Sequence, residues 1–462
     1  MSCTVCLVST SSGQRLWPSD EISQAERFLS QAARELEELG IKVISHPRIV
    51  RTPEDGAAIA RELRNSEAEV LICYIGGWSY SSAIVALATE IHLPMILWTN
   101  SRPETAGLVG AGIAKGALDE VGIDHSFVYG EFGEEETRRK LTLLVKGLSL
   151  KRKVSRSKFG LFGNRTFGMN TTSIDINQWR RQFNIEVECI DQIELLERAR
   201  SADTSVVTNV RKWMGETFGQ IQGRDDVLDR SIRLYVAMLG IIQAYGLDFV
   251  AVRCLPELSQ YYATFCVANA LLNDSIDHRG EKTPFVCACE ADGNGALTMQ
   301  MLRLLTSAPV NFGDVRYVDR EKGLLVICNC GSQAPGLADS RKNVHWLPQV
   351  SFQGEGGGVC TQYVCKAGSV TLARASRISG EYVMLIETGK CIDAPRERLH
   401  ETTWEWPHAF VELTSDYQHF LNHVRSNHIH MVYGDVSSEL KVACRAMGIK
   451  ILALDQLPIT GG

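Results

Sequence analysis

TPFVCACEADGNGALTMQMLRLLTSAPVNFGD, residues 283–314, is the stretch on which the reading of the fold turns. Phe285 to Cys289 is a short apolar run of strand length that ends on a carboxylate, Glu290. Gly293-Asn294-Gly295 then reads as a turn, and Leu297, Met301 and Leu304/Leu305 recur at helical spacing. A second short run, Val310 to Phe312, leads to another acid, Asp314. Strand, helix and strand in succession predict a parallel α/β sheet. Acids at the carboxyl ends of neighbouring strands sit where such sheets bind ligands. Paired carboxylates there can hold a divalent cation and transfer protons. A plainer reading makes Glu290 the cap of the following helix and Asp314 a turn residue, and spacing does not separate the two.

Composition bounds the function classes. The chain has 462 residues, 45% hydrophobic and 22% charged, an ordinary globular profile with room for several domains. A net charge of -6 and a pI near 6.0 predict no nucleic-acid partner. MSCTVCLVSTSSGQR has no basic stretch followed by an apolar run, and no segment approaches the roughly 20 apolar residues of a membrane span. The expectation is a cytoplasmic protein with no membrane partner. Of the 14 cysteines, Cys73, Cys254, Cys287, Cys289, Cys328 and Cys330 lie in apolar strand-like runs, where cysteine acts as a small hydrophobe. Cys3 and Cys6 form a CxxC without a second one at zinc-ribbon spacing, so reduced, buried thiols are expected.

Residues 1–152 alternate strand and helix and predict a Rossmann-like, doubly wound parallel sheet. Its third strand runs into Gly76-Gly77-Trp78-Ser79-Tyr80, where glycines permit close approach and Trp78 offers a flat apolar face. The charged run Leu148 to Lys153 reads as a linker. A second α/β domain of the same kind, 153–315, carries Glu290 and Asp314. Glycine-punctuated short strands then predict a β-rich, barrel-like third domain over 316–462.

These residues resemble the L-fucose isomerase family over most of the chain. The family's strand ending in Glu, its N-G, its Met-rich helix and its F-x-D-V match Glu290, Asn294-Gly295, Met299/Met301 and Phe312-Gly313-Asp314-Val315. Its N-H before a short apolar strand and glycine matches Asn427-His428 through Gly434. The resemblance implies Glu290, Asp314 and His428 as ligands of Mn²⁺, with Mg²⁺ or Co²⁺ as other divalent candidates, and Asn427 at the substrate. Gly77-Trp78-Ser79-Tyr80 and Ser12-Gly13-Gln14-Arg15 are similar to family segments that close the sugar pocket of a neighbouring subunit. Trp406-Pro407 is similar to a loop that stacks on the sugar. A homo-hexamer or tetramer with active sites at subunit interfaces is implied. The chain departs from the family in being shorter, and Val424-Arg425-Ser426 replaces Trp-Gly-Ala before the N-H. Basic Arg425, with Arg15, suggests an acidic substrate.

The implied activity is aldose–ketose isomerisation of a free monosaccharide through a cis-enediol, with Glu290 and Asp314 as the proton-transferring groups. His430 would share a strand face with His428, so either imidazole could be the ligand, and the family match favours His428. The alternatives are an isomerase of an acidic sugar such as sulfoquinovose and a non-catalytic sugar-binding protein. A two-lobed receptor, the third, would leave the β-rich part unexplained.

Overall fold

Every residue of the strand Val70–Ile75 is buried, and its two faces feed two separate apolar layers. In this computed structural model, which describes residues 3–12, 21–350 and 356–452, the chain forms two compact units. The first comprises residues 1–153 with 438–447, the second 154–437 with 448–462.

In the first unit, strands β1 (Thr4–Thr10), β2 (Lys42–Ser45), β3 (Val70–Ile75), β4 (Met95–Thr99) and β5 (His125–Tyr129) pair in the order β2-β1-β3-β4-β5, all parallel. Period-two alternation sends Leu7, Ile72, Tyr74 and Trp98 against helices Glu21–Glu38 and Glu135–Val154. Val8, Leu71, Cys73 and Ile75 face the other way, onto helices Pro53–Leu63, Ser81–Ile91 and Gly107–Glu120. A sheet covered on both faces explains strands that are apolar throughout. The linker read at Leu148 to Lys153 is instead the end of helix Glu135–Val154. Lys151, Arg152 and Lys153 occupy its last turn, where cations offset the negative helix terminus.

The second unit begins with β6 (Lys158–Phe162), β7 (Glu186–Ile190), β8 (Phe249–Val252), the two-residue hairpin of β9 (Ile276–Asp277) and β10 (Gly280–Glu281), and β11 (Val286–Ala288). A second parallel sheet runs β11-β8-β6-β7. Then come β12 (Asn311–Asp319), β13 (Leu324–Cys328), the hairpin of β14 (His345–Pro348) and β15 (Val359–Gln362), β16 (Gly368–Ile378), β17 (Glu381–Cys391), β18 (His408–Leu413), β19 (His428–Tyr433) and β20 (Lys450–Leu452). Antiparallel pairing runs β16-β19-β12-β13-β18-β17, and β17 pairs back with β16, so six strands close a ring. Parallel β20 on β17 makes this sheet mixed.

The 283–314 stretch therefore spans two sheets. β11 belongs to the parallel sheet, whereas β12 lies between β13 and β19 of the mixed one, so the two acids do not end neighbouring strands. Asp314 sits within a nine-residue strand. Between them, helix Gly293–Thr306 touches β8 and β11 on one side and β16 and β19 on the other. Gly293 through Leu302 are all buried, so the helix is covered all round where a single apolar face was expected. Gly293-Asn294-Gly295 is its first turn, and its cap is Asp292, not Glu290. No helix among the described residues is long and apolar enough to cross a membrane.

Candidate active site

β11 ends in a sharp reversal. Glu290 and Ala291 both adopt left-handed conformations, with φ of 60° and 52°. Such geometry costs non-glycine residues roughly 1–3 kcal/mol each and persists where the surroundings impose it. It delivers the Glu290 carboxylate to His428, the first residue of β19: Oε2 lies 3.3 Å from His428 Nε2. Asp314 Oδ1 lies 3.7 Å from the same nitrogen, because His428 and Asp314 are directly paired across β19 and β12.

The other face of the imidazole is fixed by Asp292, which is fully buried. His428 Nδ1–H donates to Asp292 Oδ2 at 2.7 Å, and the Gly295 amide donates to Oδ1 at 2.8 Å. Arg374 of β16, also fully buried, donates to both carboxylate oxygens, at 2.5 and 3.2 Å, and to the Thr171 carbonyl at 3.1 Å. Burial alone would favour the neutral acid. The Arg374 charge and the His428 hydrogen bond outweigh it and hold Asp292 well below the usual carboxylate range. Because Asp292 only accepts, Nδ1 carries the hydrogen and Nε2 is directed at Glu290 and Asp314.

Nε2 is buried and makes no sound hydrogen bond to either acid. Burial opposes charge on this imidazole, yet Asp292 and Glu290 raise it to about 10. Asp314 is pushed up by burial and by Glu290, against the pull of His428 and of Asn427, whose Nδ2 donates to Oδ1 at 2.9 Å. Two carboxylates and an orphaned imidazole nitrogen, with a buried carboxylate behind the ring, could hold a divalent cation through carboxylate oxygens and one imidazole nitrogen. His430 shares the face of His428, but its Nε2 lies 3.3 Å from Arg374 Nη1; burial and that guanidinium keep it neutral. Phe312, opposite His430, packs against both rings, with centroids 4.5 and 5.2 Å away.

Glu290, Asp314, Asn427 and His428 thus come together. Arg425 is exposed and donates to the carbonyls of Asn422 and Val424 at the end of helix Tyr417–His423. Trp406 is buried, with Nε1 donating to Gln349 at 2.9 Å. Trp78 is half-buried in the first unit, between β3 and helix Ser81–Ile91. Arg15 lies outside the described residues.

Sequence reasoning missed Asp292, Arg374 and Arg316. Asp292 was visible as an Asp three residues before Gly295 at a helix start, the place of a cap. Arg374, alone in the run Val370 to Ala375, signalled a buried charge in need of a partner. Arg316 is the extra residue of a β-bulge, where pairing slips between Val315 and Tyr317. It is exposed, its charge is felt by Asp314, Cys328 and His408, and among the described residues it has no hydrogen-bonded or ion-paired partner.

Residues 19–147 match the family description "L-fucose isomerase, first N-terminal domain", and residues 327–454 match "L-fucose isomerase, C-terminal domain". The chain belongs to the L-fucose isomerase family. His428 and Asn427 fall within the second match, while Glu290 and Asp314 lie between the two. Among fucose isomerase-like relatives, a protein named sulfoquinovose isomerase from Alkalicoccus urumqiensis is 24% identical over 92% of this chain and 95% of its own. Another of that name from Clostridium sp. (strain MSTE9) is 26% identical over 78% of this chain and 81% of its own. An L-fucose isomerase from Citrobacter koseri is 22% identical over 76% and 73%. A periplasmic solute binding protein from Actinobacillus succinogenes, 12% identical over 67% of this chain and 92% of its own, overlaps at a TM-score of 0.17, too slight to argue from.

Proposed function

We propose that this sugar isomerase interconverts the aldose and ketose forms of a free monosaccharide and requires a divalent cation. The observation that carries the reading is His428 Nε2, buried without a hydrogen bond and facing Glu290 and Asp314 while Asp292 holds the ring from behind. Glu290, Asp314 and His428 would hold Mn²⁺, or Mg²⁺ or Co²⁺, since two of the three donors are hard carboxylate oxygens. The bound cation would polarise the sugar carbonyl as a Lewis acid. Glu290 and Asp314 would move the proton between adjacent carbons, and Asn427 would steady Asp314 by occupying Oδ1. A protein that only bound sugar would need neither two acids nor an oriented imidazole.

The substrate favoured is a sulfonated or otherwise acidic hexose. Relatives named sulfoquinovose isomerase align over more of the chain than those named L-fucose isomerase, and Arg316, without a partner among the described residues, supplies a cation on the strand of Asp314. The Arg425 guanidinium is already engaged with backbone, which makes it the weaker candidate for an anionic group. The pairing ring of the second unit supports a barrel-like reading, and the β2-β1-β3-β4-β5 order a Rossmann-like one. By the same family reasoning, a neighbouring copy's Trp78 and Arg15 would close the pocket of a homo-hexamer or tetramer. Full activity in a light-scattering monomer on dilution would exclude that.

The test is a panel of L-fucose, D-arabinose, D-glucose, sulfoquinovose and a uronate, assayed for aldose–ketose conversion with Mn²⁺, after EDTA, and with Glu290→Gln. Turnover of sulfoquinovose above the neutral sugars, lost on chelation and in the variant, is expected. Turnover that survives EDTA, or none on any sugar with Mn²⁺ bound, overturns the reading.

A further inference from the structure

Behind Glu290 lies a second set of donors of a different chemical kind. Cys289 precedes it in the chain, and Cys330 follows β13; both are buried. One ligand atom each from Cys289, Glu290 and Cys330 lie within 4.8 Å of one another. More sulfur surrounds them. Cys266 Sγ–H donates to the Cys330 carbonyl at 3.5 Å, and Gln349 Nε2 donates to that carbonyl at 2.6 Å and to Cys266 Sγ at 3.6 Å. None of these thiols is in a disulfide. The hard-cation set of His428 and Asp314 uses none of them, so Glu290 stands between an imidazole–carboxylate side and a thiol side.

We propose that Cys289, Cys330 and the Glu290 carboxylate form a second cation site, selective for thiophilic divalent ions such as Zn²⁺ or Cd²⁺, and that an ion bound there withdraws Glu290 from the first site. Thiolates prefer such ions to Mn²⁺ or Mg²⁺. A Zn–S bond is about 2.3 Å, so two ligands on one ion are at most roughly 4.6 Å apart. The three ligand atoms lie within 4.8 Å of one another, so an ion would have to draw them only slightly closer together. Binding forms two metal–sulfur bonds and one metal–oxygen bond, and two thiol protons leave to solvent; nothing is oxidised. Two thiolates neutralise the dication, which lowers the cost of placing it in a buried pocket. The withdrawal of Glu290 rests on the proposed isomerase reading; the thiol site itself does not.

The test uses the whole chain carrying Cys189→Ser, which removes the exposed thiol, kept reduced with a phosphine. Cd²⁺ is titrated while the near-ultraviolet thiolate-to-cadmium charge-transfer band and proton release are followed. One equivalent, a band of two thiolates and two protons released per ion are expected, needing no further variant. Cys330→Ser should abolish the saturable band, while Glu290→Gln should keep it at about tenfold weaker affinity. No saturable band, a one-thiolate or four-thiolate band, or a band unchanged in both variants overturns the site. With Mn²⁺-loaded protein, Zn²⁺ should abolish turnover, and Cys330→Ser should raise the inhibiting concentration about tenfold. A two-thiolate band without loss of turnover overturns the claim on Glu290. Absence of turnover on every sugar, with the band intact, would instead sink the isomerase reading and leave the thiol site standing.

Discussion

Asp292 joins three structural tasks in one side chain: it caps a helix, neutralises Arg374 and sets the His428 tautomer. Asp292→Asn keeps the size but presents an amide that can donate to the ring, so Nδ1 need no longer carry the hydrogen. Mn²⁺ affinity, read by calorimetry, should fall by about 10–100-fold, the usual cost of losing such a partner; unchanged affinity would remove Asp292 from the site. Arg316→Gln should raise KM for sulfoquinovose and leave that for L-fucose in place, since only the anionic substrate meets the guanidinium. An equal rise for both sugars would contradict the acidic-substrate reading. His408 titrates in the opposite sense to His428. Burial first, then Arg316, lowers it from the ordinary 6.5 to about 4, with Nδ1–H donating to the Trp406 carbonyl. The unfolded chain therefore takes up a proton that the folded one refuses, and stability present above pH 6.5 is lost as pH falls towards 4. Denaturant midpoints across that window should fall less steeply in His408→Gln than in the parent chain; parallel slopes would assign the loss to other groups.

At the scale of elements, helix Gly293–Thr306 and strand β16 hold the site in place. A Cβ on Gly295 would come within 2.6 Å of Asp292 Oδ2 and 2.8 Å of His430 Nε2, so only glycine lets the helix start approach both. β16 contributes Arg374, and Arg374→Met would leave the Asp292 charge buried beside a thioether. A cost of about 3–5 kcal/mol in urea unfolding is expected; a change below 1 kcal/mol would mean that Asp292 is solvated or protonated in place. Element positions were largely legible in the sequence: the run Phe285 to Cys289 contains β11, and Val310 to Phe312 leads into β12. Their partners were not. Val310 to Phe312 reads the same whether its strand joins a parallel sheet or an antiparallel one, because periodicity fixes a strand's faces and not its neighbours. The terminal charges Lys151 to Lys153 likewise fit a linker or a helix end.

At the scale of the molecule, a cation held by Glu290, Asp314 and His428 would link the parallel sheet to the mixed one, since Glu290 follows β11 and the other two lie on β12 and β19. Binding only to the folded state at a hundred times its Kd adds about 2.7 kcal/mol. Mn²⁺ should raise Tm, EDTA should reverse the rise, and Glu290→Gln should show little of it; a rise equal in the variant would put the ion elsewhere. The chain also returns on itself, with 438–447 folding in the first unit and 448–452 resuming the second. By itself, the sequence determined the α/β class and the family, which reside in local pattern and spacing, and the family resemblance singled out Glu290, Asp314 and His428 as candidates. Tertiary structure alone decided that His428 and not His430 faces both acids, that Asp292 and Arg374 stand behind it, and that thiols border Glu290. Those facts depend on which strands pair and what a buried charge meets there, and contacts between residues far apart in the chain leave no periodicity in either partner.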